Sequence, residues 1–368
     1  MSAPGLIVFV DGLGAEAAEE RRLFRSLPDH RAVVPGLGYS VNIQAELFAG
    51  TTPDDAGFFC HWQYAPQGSR AAAVRPLLEA WSALVPAHSW LDVQAHRALA
   101  RGLGMDALRI PLRELAWLRR TGDYHTVTGD CDLFRSAHLV SWARAERPVG
   151  RRDAVVFEQA LALLRRRVER PVVATLVDFD AVGHDPGPRT PPFEAAAQQL
   201  DVRVSRLVEA LDAYAPDAPV VVLSDHGQTA VRDALDLALD RTLGRPAPGR
   251  WVSFIDSTVA RVWSPDPALL GRAREALEAH AHVLSEDERR RFGVTSRRFG
   301  DLITVAPEGA VFRPSHVSGR SISPGMHGYH PDTPSQWAAW ASRGVPVPDT
   351  PRLSTLEAHG ALTSRFVA

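Results

Sequence analysis

The chain places carboxylates and imidazoles where short runs of apolar residues end. The stretch 220–229 shows this most clearly, because "VVVLSDHGQT" passes from four apolar residues to an adjacent Asp and His. Six metal-capable side chains stand at such ends or in loops: Asp11, Asp180, His184, Asp225, His226 and His327. Zinc-class ions take such ligands, about three per ion, and can keep one position open for water or substrate. The set therefore predicts a site for two divalent ions.

Ser40 is a candidate residue for a position beside a bound anion. In "GYSVNIQAELFAG" (38–50) it precedes a predicted helix over residues 41–48 that ends at Gly50. The N-terminus of a helix presents free backbone N–H groups that favour an anion. The alternative is that Ser40 is only an N-cap, just as a single Asp at a strand end is often a cap or turn former. For Ser40 the two roles, beside a bound anion and as an N-cap, are compatible.

Three segments that lead to these residues predict buried parallel strands. They are short, continuously apolar and rich in β-branched residues, at 5–10, 172–178 and 220–223. Amphipathic helices are predicted over 156–167 and 193–211. This alternation predicts an α/β fold with a doubly wound, mostly parallel sheet sandwiched by helices. Ligands of such sheets bind outside the carboxyl ends of the strands, where Asp180 and His184 are expected on a turn.

The remaining chain predicts two additions to a single catalytic domain that spans 1–368. A helical insertion is expected over 59–150. A small α+β sub-domain is expected over 231–318, with strands at 251–263 and 299–306 and a helix at 267–280. The core then comprises 1–58, 151–230 and 319–368.

The composition limits the classes of binding partner that we expect. The formal net charge is −2 and all 41 basic residues are arginine, so charge does not point to a nucleic acid polymer or an anionic membrane. Two cysteines are too few for a disulfide framework. No apolar run approaches the roughly 20 residues of a membrane span, and the first residues lack the features of a signal peptide. We expect a cytoplasmic protein; oligomeric state stays open.

In their order, the motifs resemble those of the alkaline phosphatase superfamily, closest to its type I phosphodiesterase/nucleotide pyrophosphatase family. In that family a strand ends in a metal-binding Asp, as "VFVDGLG" does at Asp11. The nucleophile stands ten residues before a G-x-x-P-x-x-x-G run, as Ser40 stands before "GTTPDDAG". The other shared motifs are D-x-x-G-H at 180–184, D-H-G at 225–227 and H-G-Y at 327–329. The motifs cover the core and leave both additions unmatched.

The resemblance implies a metal-dependent hydrolase of phosphate esters with an alkaline-phosphatase-like fold. One metal would be held by Asp180, His184 and His327, and the other by Asp11, Asp225, His226 and the Ser40 oxygen. The metals are expected to be Zn²⁺, with Mn²⁺ or Mg²⁺ as alternatives. Ser40 would attack phosphorus and form a phosphoserine intermediate. The expected function is a phosphodiesterase or nucleotide pyrophosphatase; the alternatives are a biosynthetic phosphomonoesterase and a non-catalytic binding protein.

The sequence departs from the family around the nucleophile. Many relatives carry an Asn three residues after it, whereas here Asn42 follows by two, so its contact with a phosphoryl oxygen is a weaker expectation. In "CHWQYAP" (60–66), Trp62 and Tyr64 are candidates to line a slot for the substrate, although they could equally form the core of the insertion. A monoesterase would need an arginine for the extra phosphoryl charge, and the candidates are Arg113, Arg119 and Arg120.

Overall fold

The computed structural model describes residues 3–65, 72–86, 89–103, 109–115, 117–121, 128–129, 131–141 and 151–367. The side chain of Arg113 lies outside this part. In chain order the strands are β1 (Leu6–Val10), β2 (Asp29–Val34), β3 (Trp62–Tyr64), β4 (Leu118–Arg120), β5 (His138–Ser141), β6 (Val172–Leu176), β7 (Val220–Leu223), β8 (Thr229–Ala230), β9 (Asp233–Leu235), β10 (Val252–Ile255), β11 (Val259–Trp263), β12 (His282–Val283), β13 (Leu302–Val305), β14 (Ala310–Phe312), β15 (Gly325–Met326), β16 (Ala338–Arg343) and β17 (Arg352–Ser354).

Helices connect these strands. In chain order they are α1 (Ala15–Glu19), α2 (Arg22–Ser26), α3 (Ser40–Ala49), α4 (Pro53–Ala56), α5 (Arg75–Leu84), α6 (Trp90–Leu103), α7 (Leu112–Leu115), α8 (Asp132–Ser136), α9 (Arg152–Arg165), α10 (Asp178–His184), α11 (Pro191–Asp212), α12 (Leu239–Leu243), α13 (Pro267–Glu278), α14 (Glu286–Arg291) and α15 (Thr355–Phe366). The long helices α9 and α11 coincide with the two amphipathic segments predicted from the sequence.

A seven-stranded sheet forms the core, in the order β17-β2-β16-β7-β1-β6-β5. Strand β1 has parallel neighbours on both sides, β6 and β7. The pairs β5–β6 and β17–β2 are also parallel, whereas β16 runs antiparallel to both β2 and β7. The sheet is therefore mostly parallel, as predicted.

Strand β1 is buried on both faces because helices cover both sides of the sheet. Leu6, Val8 and Val10 belong to the core shared with α9 and α11. Ile7 and Phe9 alternate with them and pack toward α3 and α15. Each of the five side chains is at most 1% exposed, and burying one contributes about 1.5–3 kcal/mol. This confirms the predicted doubly wound fold and explains why the segment is continuously apolar.

A smaller sheet lies within residues 231–318, in the order β10-β11-β13-β12, with all neighbours antiparallel. The segment 251–263 is a hairpin of β10 and β11 rather than the single strand predicted from its alternation. The carboxylate of Asp256 accepts a hydrogen bond of 2.7 Å from the Ser257 N–H and so stabilises the turn.

The division of the chain into a core and two additions stays a prediction. One strand does not fit the predicted division. Strand β5 lies within 59–150, the range expected to be a helical insertion, yet it forms the edge of the main sheet and pairs in parallel with β6.

Candidate active site and metal centre

The first ligand cluster is Asp180, His184 and His327, whose ligand atoms all lie within 4.8 Å of one another. The sequence predicted Asp180 and His184 on a turn, but they lie four residues apart on one face of helix α10. The carboxylate of Asp153 stabilises the start of this helix, since it accepts hydrogen bonds of 2.7 and 3.1 Å from the N–H groups of Val177 and Asp178. His184 Nε2 lies 3.5 Å from Asp180 Oδ2.

The second cluster is Asp11, Asp225 and His226, whose ligand atoms also lie within 4.8 Å of one another. Asp11 directly follows β1, and the other two follow β7 after one intervening residue. His226 Nε2 lies 3.4 Å from Asp11 Oδ1 and 3.6 Å from Asp225 Oδ2. The parallel pairing of β1 with β7 therefore brings residues more than 200 positions apart to one edge of the sheet.

The two clusters are in direct contact. The imidazole rings of His226 and His327 stack with their centroids 3.6 Å apart and their planes 7° apart. Gly227, in the D-H-G motif, has no room for a side chain, because a Cβ there would collide with the carbonyl oxygen of Ser335. The structure thus assembles all six predicted ligand residues into one centre with two halves.

Ser40 lies against the second cluster. Its hydroxyl oxygen is 2.9 Å from His226 Nε2 and 3.5 Å from Asp11 Oδ1. Ser40 is the first residue of α3, and Tyr39 occupies the N-cap position without a capping bond from its side chain. The first backbone N–H groups of an α-helix have no acceptor within the helix. The geometry therefore places the Ser40 hydroxyl beside candidate metal-ligating atoms at the N-terminus of a helix.

Burial and neighbouring charges shift the pKa values of three side chains in the centre. Burial, together with the carboxylates of Asp225 and Asp180, raises the pKa of Asp11 well above its usual value. Burial opposes a charge on His226, but the neighbouring carboxylates, chiefly that of Asp225, outweigh it and raise its pKa to about 10. Burial and the other imidazoles hold the pKa of His327 well below its usual value. Such opposed shifts among buried groups are typical of functional sites.

The donor atoms fit divalent metal ions. The Nδ1 atoms of His184 and His226 each lie 3.0 Å from a backbone carbonyl, which can only accept, so Nδ1 carries the proton and Nε2 is free to ligate. His327 is buried, and its Nδ1 has no hydrogen-bond partner among the described residues. The three carboxylates together carry three negative charges, whereas two divalent ions carry four positive charges. A loaded centre would therefore attract a phosphate anion.

Two glutamines that sequence reasoning missed hold the carboxylates in place. Gln44 Nε2 donates a hydrogen bond of 2.9 Å to Asp225 Oδ2. Gln228 Nε2 donates one of 2.6 Å to Asp180 Oδ1. The available signals were weak: Gln44 stands four residues after Ser40 on the same helix face, and Gln228 directly follows D-H-G. A metal-ligating carboxylate fixed in this way needs little reorganisation to bind.

A cavity of about 330 Å³ opens beside Ser40. Its walls include Tyr39, Ser40, His61, Trp62, Arg120 and Asp256. Burial raises the pKa of Asp256 to about 6. The cavity therefore offers an aromatic wall together with groups that can carry charge of either sign.

Tyr64 and Asn42, the other residues predicted to contact the substrate, do not line this cavity. Tyr64 borders a different cavity, beside Trp251 and Trp263, although it lies two residues after Trp62 and so on the same face of β3. The side-chain amide of Asn42 donates to the carbonyl of Phe58 over 3.3 Å and accepts from the Cys60 N–H over 2.8 Å. Asn42 thus shapes the turn after the nucleophile helix, and its contact with a phosphoryl oxygen stays a prediction.

Among the described residues, no helix combines the length and apolarity needed to cross a bilayer.

The fold and the centre together define a metal-dependent hydrolase of phosphate esters in the alkaline phosphatase superfamily. The family model of type I phosphodiesterase / nucleotide pyrophosphatase matches residues 123–330, more than half of the chain. The chain belongs to this family, which is metal-dependent. No curated protein sequence matches the chain.

Solved structures share its fold. Murine ectonucleotide pyrophosphatase/phosphodiesterase 5, as an inactive variant in complex with AMP, is 16% identical with a TM-score of 0.63, over 99% of this chain and 95% of the other. The human protein of the same name is 14% identical with a TM-score of 0.61, over 98% and 94%. Phosphonoacetate hydrolase from Sinorhizobium meliloti 1021, in complex with phosphonoacetate, is 17% identical with a TM-score of 0.61, over 99% and 96%.

Proposed function

We propose that the chain is a phosphodiesterase or nucleotide pyrophosphatase that acts through a phosphoserine intermediate on Ser40. The observation that carries this proposal is the position of the Ser40 hydroxyl, 2.9 Å from His226 Nε2 and 3.5 Å from Asp11 Oδ1. Asp180, His184 and His327 would hold one metal ion. Asp11, Asp225 and His226 would hold the other.

The chain's own residues then perform two displacements. Bound divalent ions would supply Lewis-acid stabilisation of the negative charge that develops on the attacking and leaving oxygens. Ser40 Oγ forms a bond to phosphorus while the bond from phosphorus to the leaving oxygen breaks, and the serine proton passes to that leaving oxygen. Backbone N–H groups at the start of α3 would stabilise the negative charge on the phosphoryl oxygens. Water then displaces the serine oxygen, releases the phosphoryl group and restores the hydroxyl.

Ser40→Ala tests the nucleophile. We expect kcat/KM for bis-p-nitrophenyl phosphate to fall at least about 10³-fold, because no other group supplies the attacking oxygen. Ser40→Thr serves as the control, since it keeps a hydroxyl on the same carbon and should retain measurable activity. Metal content, measured on each variant, should stay unchanged. Full activity of the alanine variant would remove Ser40 from this role.

The cavity favours a second candidate function, a phosphomonoesterase. Arg120 contributes to the cavity wall beside Ser40, and an arginine there would neutralise the additional charge of a monoester. Arg119, its neighbour in β4, is exposed and does not line this cavity. The monoester interpretation thus rests on one identified side chain.

Arg120→Gln distinguishes the two candidates. A monoesterase should prefer p-nitrophenyl phosphate over its bis ester and lose about 10- to 100-fold in kcat/KM when Arg120 is replaced. Arg119→Gln is the matched control and should leave kcat/KM unchanged. A diesterase should prefer the bis ester and tolerate both substitutions, which would reject the monoesterase.

A small-molecule phosphate ester is the proposed substrate. The neighbours bind AMP or phosphonoacetate, and the cavity of about 330 Å³ is at the lower end of the size range of small-molecule sites. Zinc as the bound metal and a cytoplasmic location also stay predictions.

A further inference from the structure

Two histidines and a glutamate converge on the surface, away from the two clusters of the active site. His282 lies in β12, Glu288 in α14, and His330 in the loop after β15. Glu288 Oε1 is 2.8 Å from His282 Nε2 and 3.2 Å from His330 Nε2. One ligand atom from each residue lies within 4.8 Å of those of the other two. We call this set the surface cluster.

Glu288 is fixed as an anion with one oxygen left for the histidines. Its Oε2 accepts hydrogen bonds of 2.7 Å from the backbone N–H of Ser285 and 2.8 Å from the Ser285 hydroxyl, which completes a capping box at the start of α14. Burial alone would raise the pKa of Glu288, but these bonds and that from His282 lower it to about 2. The carboxylate is therefore charged and oriented without using Oε1.

The two imidazoles are arranged as ligands of one ion. Their rings are nearly perpendicular, at 86°, with centroids 5.3 Å apart. A zinc ion bound at about 2.0–2.1 Å to two Nε2 atoms with a tetrahedral angle between them would separate the centroids by about 5 Å. His330 is held by an edge contact with Phe292, and its Nδ1 accepts a hydrogen bond of 3.3 Å from the backbone N–H of Asp332. The carboxylate of Asp332 is itself paired with Arg291 and lies 3.8 Å from the same nitrogen.

We propose that His282, Glu288 and His330 bind a third divalent ion of the zinc class. Two imidazoles and one carboxylate are a sufficient donor set for such an ion. The His282 side chain is 52% exposed, whereas those of Glu288 and His330 are each 22% exposed, so water has access to complete the coordination. The ion would join β12 and α14 to the loop that carries His327, three residues before His330.

The proposal is tested by counting bound zinc. The full chain is brought to equilibrium by dialysis against buffered free Zn²⁺, and zinc per chain is measured for the wild type, His282→Asn and Glu288→Gln. We expect each variant to bind one equivalent less than the wild type. Glu288→Gln retains an acceptor oxygen for the capping box, and His282 is exposed, so both variants should fold; thermal melting checks this. His280→Asn, which removes an exposed histidine outside the cluster, is the matched control and should bind as the wild type does.

Equal zinc content in the wild type and both variants would overturn the proposal and leave the cluster as histidines that donate hydrogen bonds to a glutamate. Loss of one equivalent in His280→Asn as well would also overturn it, because the zinc would then be bound non-specifically. The result does not depend on the proposed function. Zinc in the active site is common to all four proteins and cancels in the difference.

Discussion

Gln44 contributes to the orientation of Asp225 toward the candidate metal. Asp225 is fully buried, and its Oδ1 accepts from the N–H groups of Gly12 and His226 over 3.3 and 3.1 Å, so its position is set mainly by the backbone. Its Oδ2, the oxygen nearer to His226 Nε2, accepts from Gln44. Because Gln44 and Ser40 share one face of α3, a single helix aligns the nucleophile and this ligand.

Gln44→Ala should therefore weaken the site without removing a ligand. We expect zinc affinity and kcat/KM to fall about 10- to 100-fold, the usual effect of losing a group that orients a metal ligand. The measurements are a zinc titration and initial rates at saturating zinc. Gln159→Ala, on the exposed face of α9, is the control and should change neither quantity. Unchanged zinc affinity in Gln44→Ala would show that the backbone bonds suffice.

The ligands could be predicted from the sequence, whereas their supports could not. Asp225 and His226 stand in a short motif at the end of an apolar run, and both residue types are recognisable as ligands. Gln44 carries no such mark, because its partner lies 181 positions further along the chain. Trp62 and Tyr64 looked equivalent and share one face of β3, yet only the tertiary packing shows that Trp62, and not Tyr64, borders the cavity beside Ser40.

Helix α3 also carries a buried acid that faces away from the site. Burial raises the pKa of Glu46 to about 7 from 4.5, even though the Thr355 hydroxyl donates a hydrogen bond to it. In the folded chain it therefore keeps its proton at a pH where the unfolded chain has lost it. Between pH 4.5 and about 7 the folded state binds more protons, so this group makes stability decline as pH rises through that window.

Glu46→Gln should remove this decline. We expect the variant to gain about 3 kcal/mol in free energy of unfolding relative to the wild type between pH 4.5 and pH 8, because a shift of one pKa unit is worth about 1.4 kcal/mol. Urea denaturation at both pH values measures this. Glu158→Gln, on the exposed side of α9, should show no such gain. A difference between Glu46→Gln and wild type that does not change with pH would contradict the assignment.

Elements buried on both faces were predictable, and those defined by distant pairing were not. Strands β1, β6 and β7 and helices α9 and α11 show the continuous or periodic apolar pattern that burial requires. Strand β16 pairs antiparallel with β2, about 300 positions earlier, and neither strand has a pattern that reveals its partner. The start of the short helix α10 donates hydrogen bonds to the Asp153 carboxylate, which lies on α9. Tertiary contacts therefore determine the strand partners and the short helix that the local sequence pattern does not specify.

For the molecule as a whole, the metal centre depends on the order of strands. Parallel β6, β1 and β7 end at one edge, which brings together residues that follow all three. His327 reaches this edge from a loop late in the chain. The side-chain oxygen of Gln336 holds this loop, because it accepts hydrogen bonds of 2.8 and 3.2 Å from the N–H groups of Gly328 and Tyr329. A centre assembled from such separate segments stabilises the fold when it is filled, because the ion binds only the folded chain.

The types of ligand atom predict which metal ion fills the centre. Three imidazoles and three carboxylates suit Zn²⁺, whereas Mg²⁺ prefers oxygen ligands and retained water. After chelation with EDTA, we expect activity to be lost, micromolar Zn²⁺ to restore it, and millimolar Mg²⁺ to restore at least about 100-fold less. Zinc should also raise the melting temperature by at least about 5 °C, since occupancy at 100 times Kd adds about 2.7 kcal/mol per site. Ser40→Ala, which keeps all six ligands, should show the same thermal shift without activity, and so separates binding from chemistry. Full activity with Mg²⁺ alone would contradict the zinc assignment and leave the ligand positions to be tested by the thermal shift.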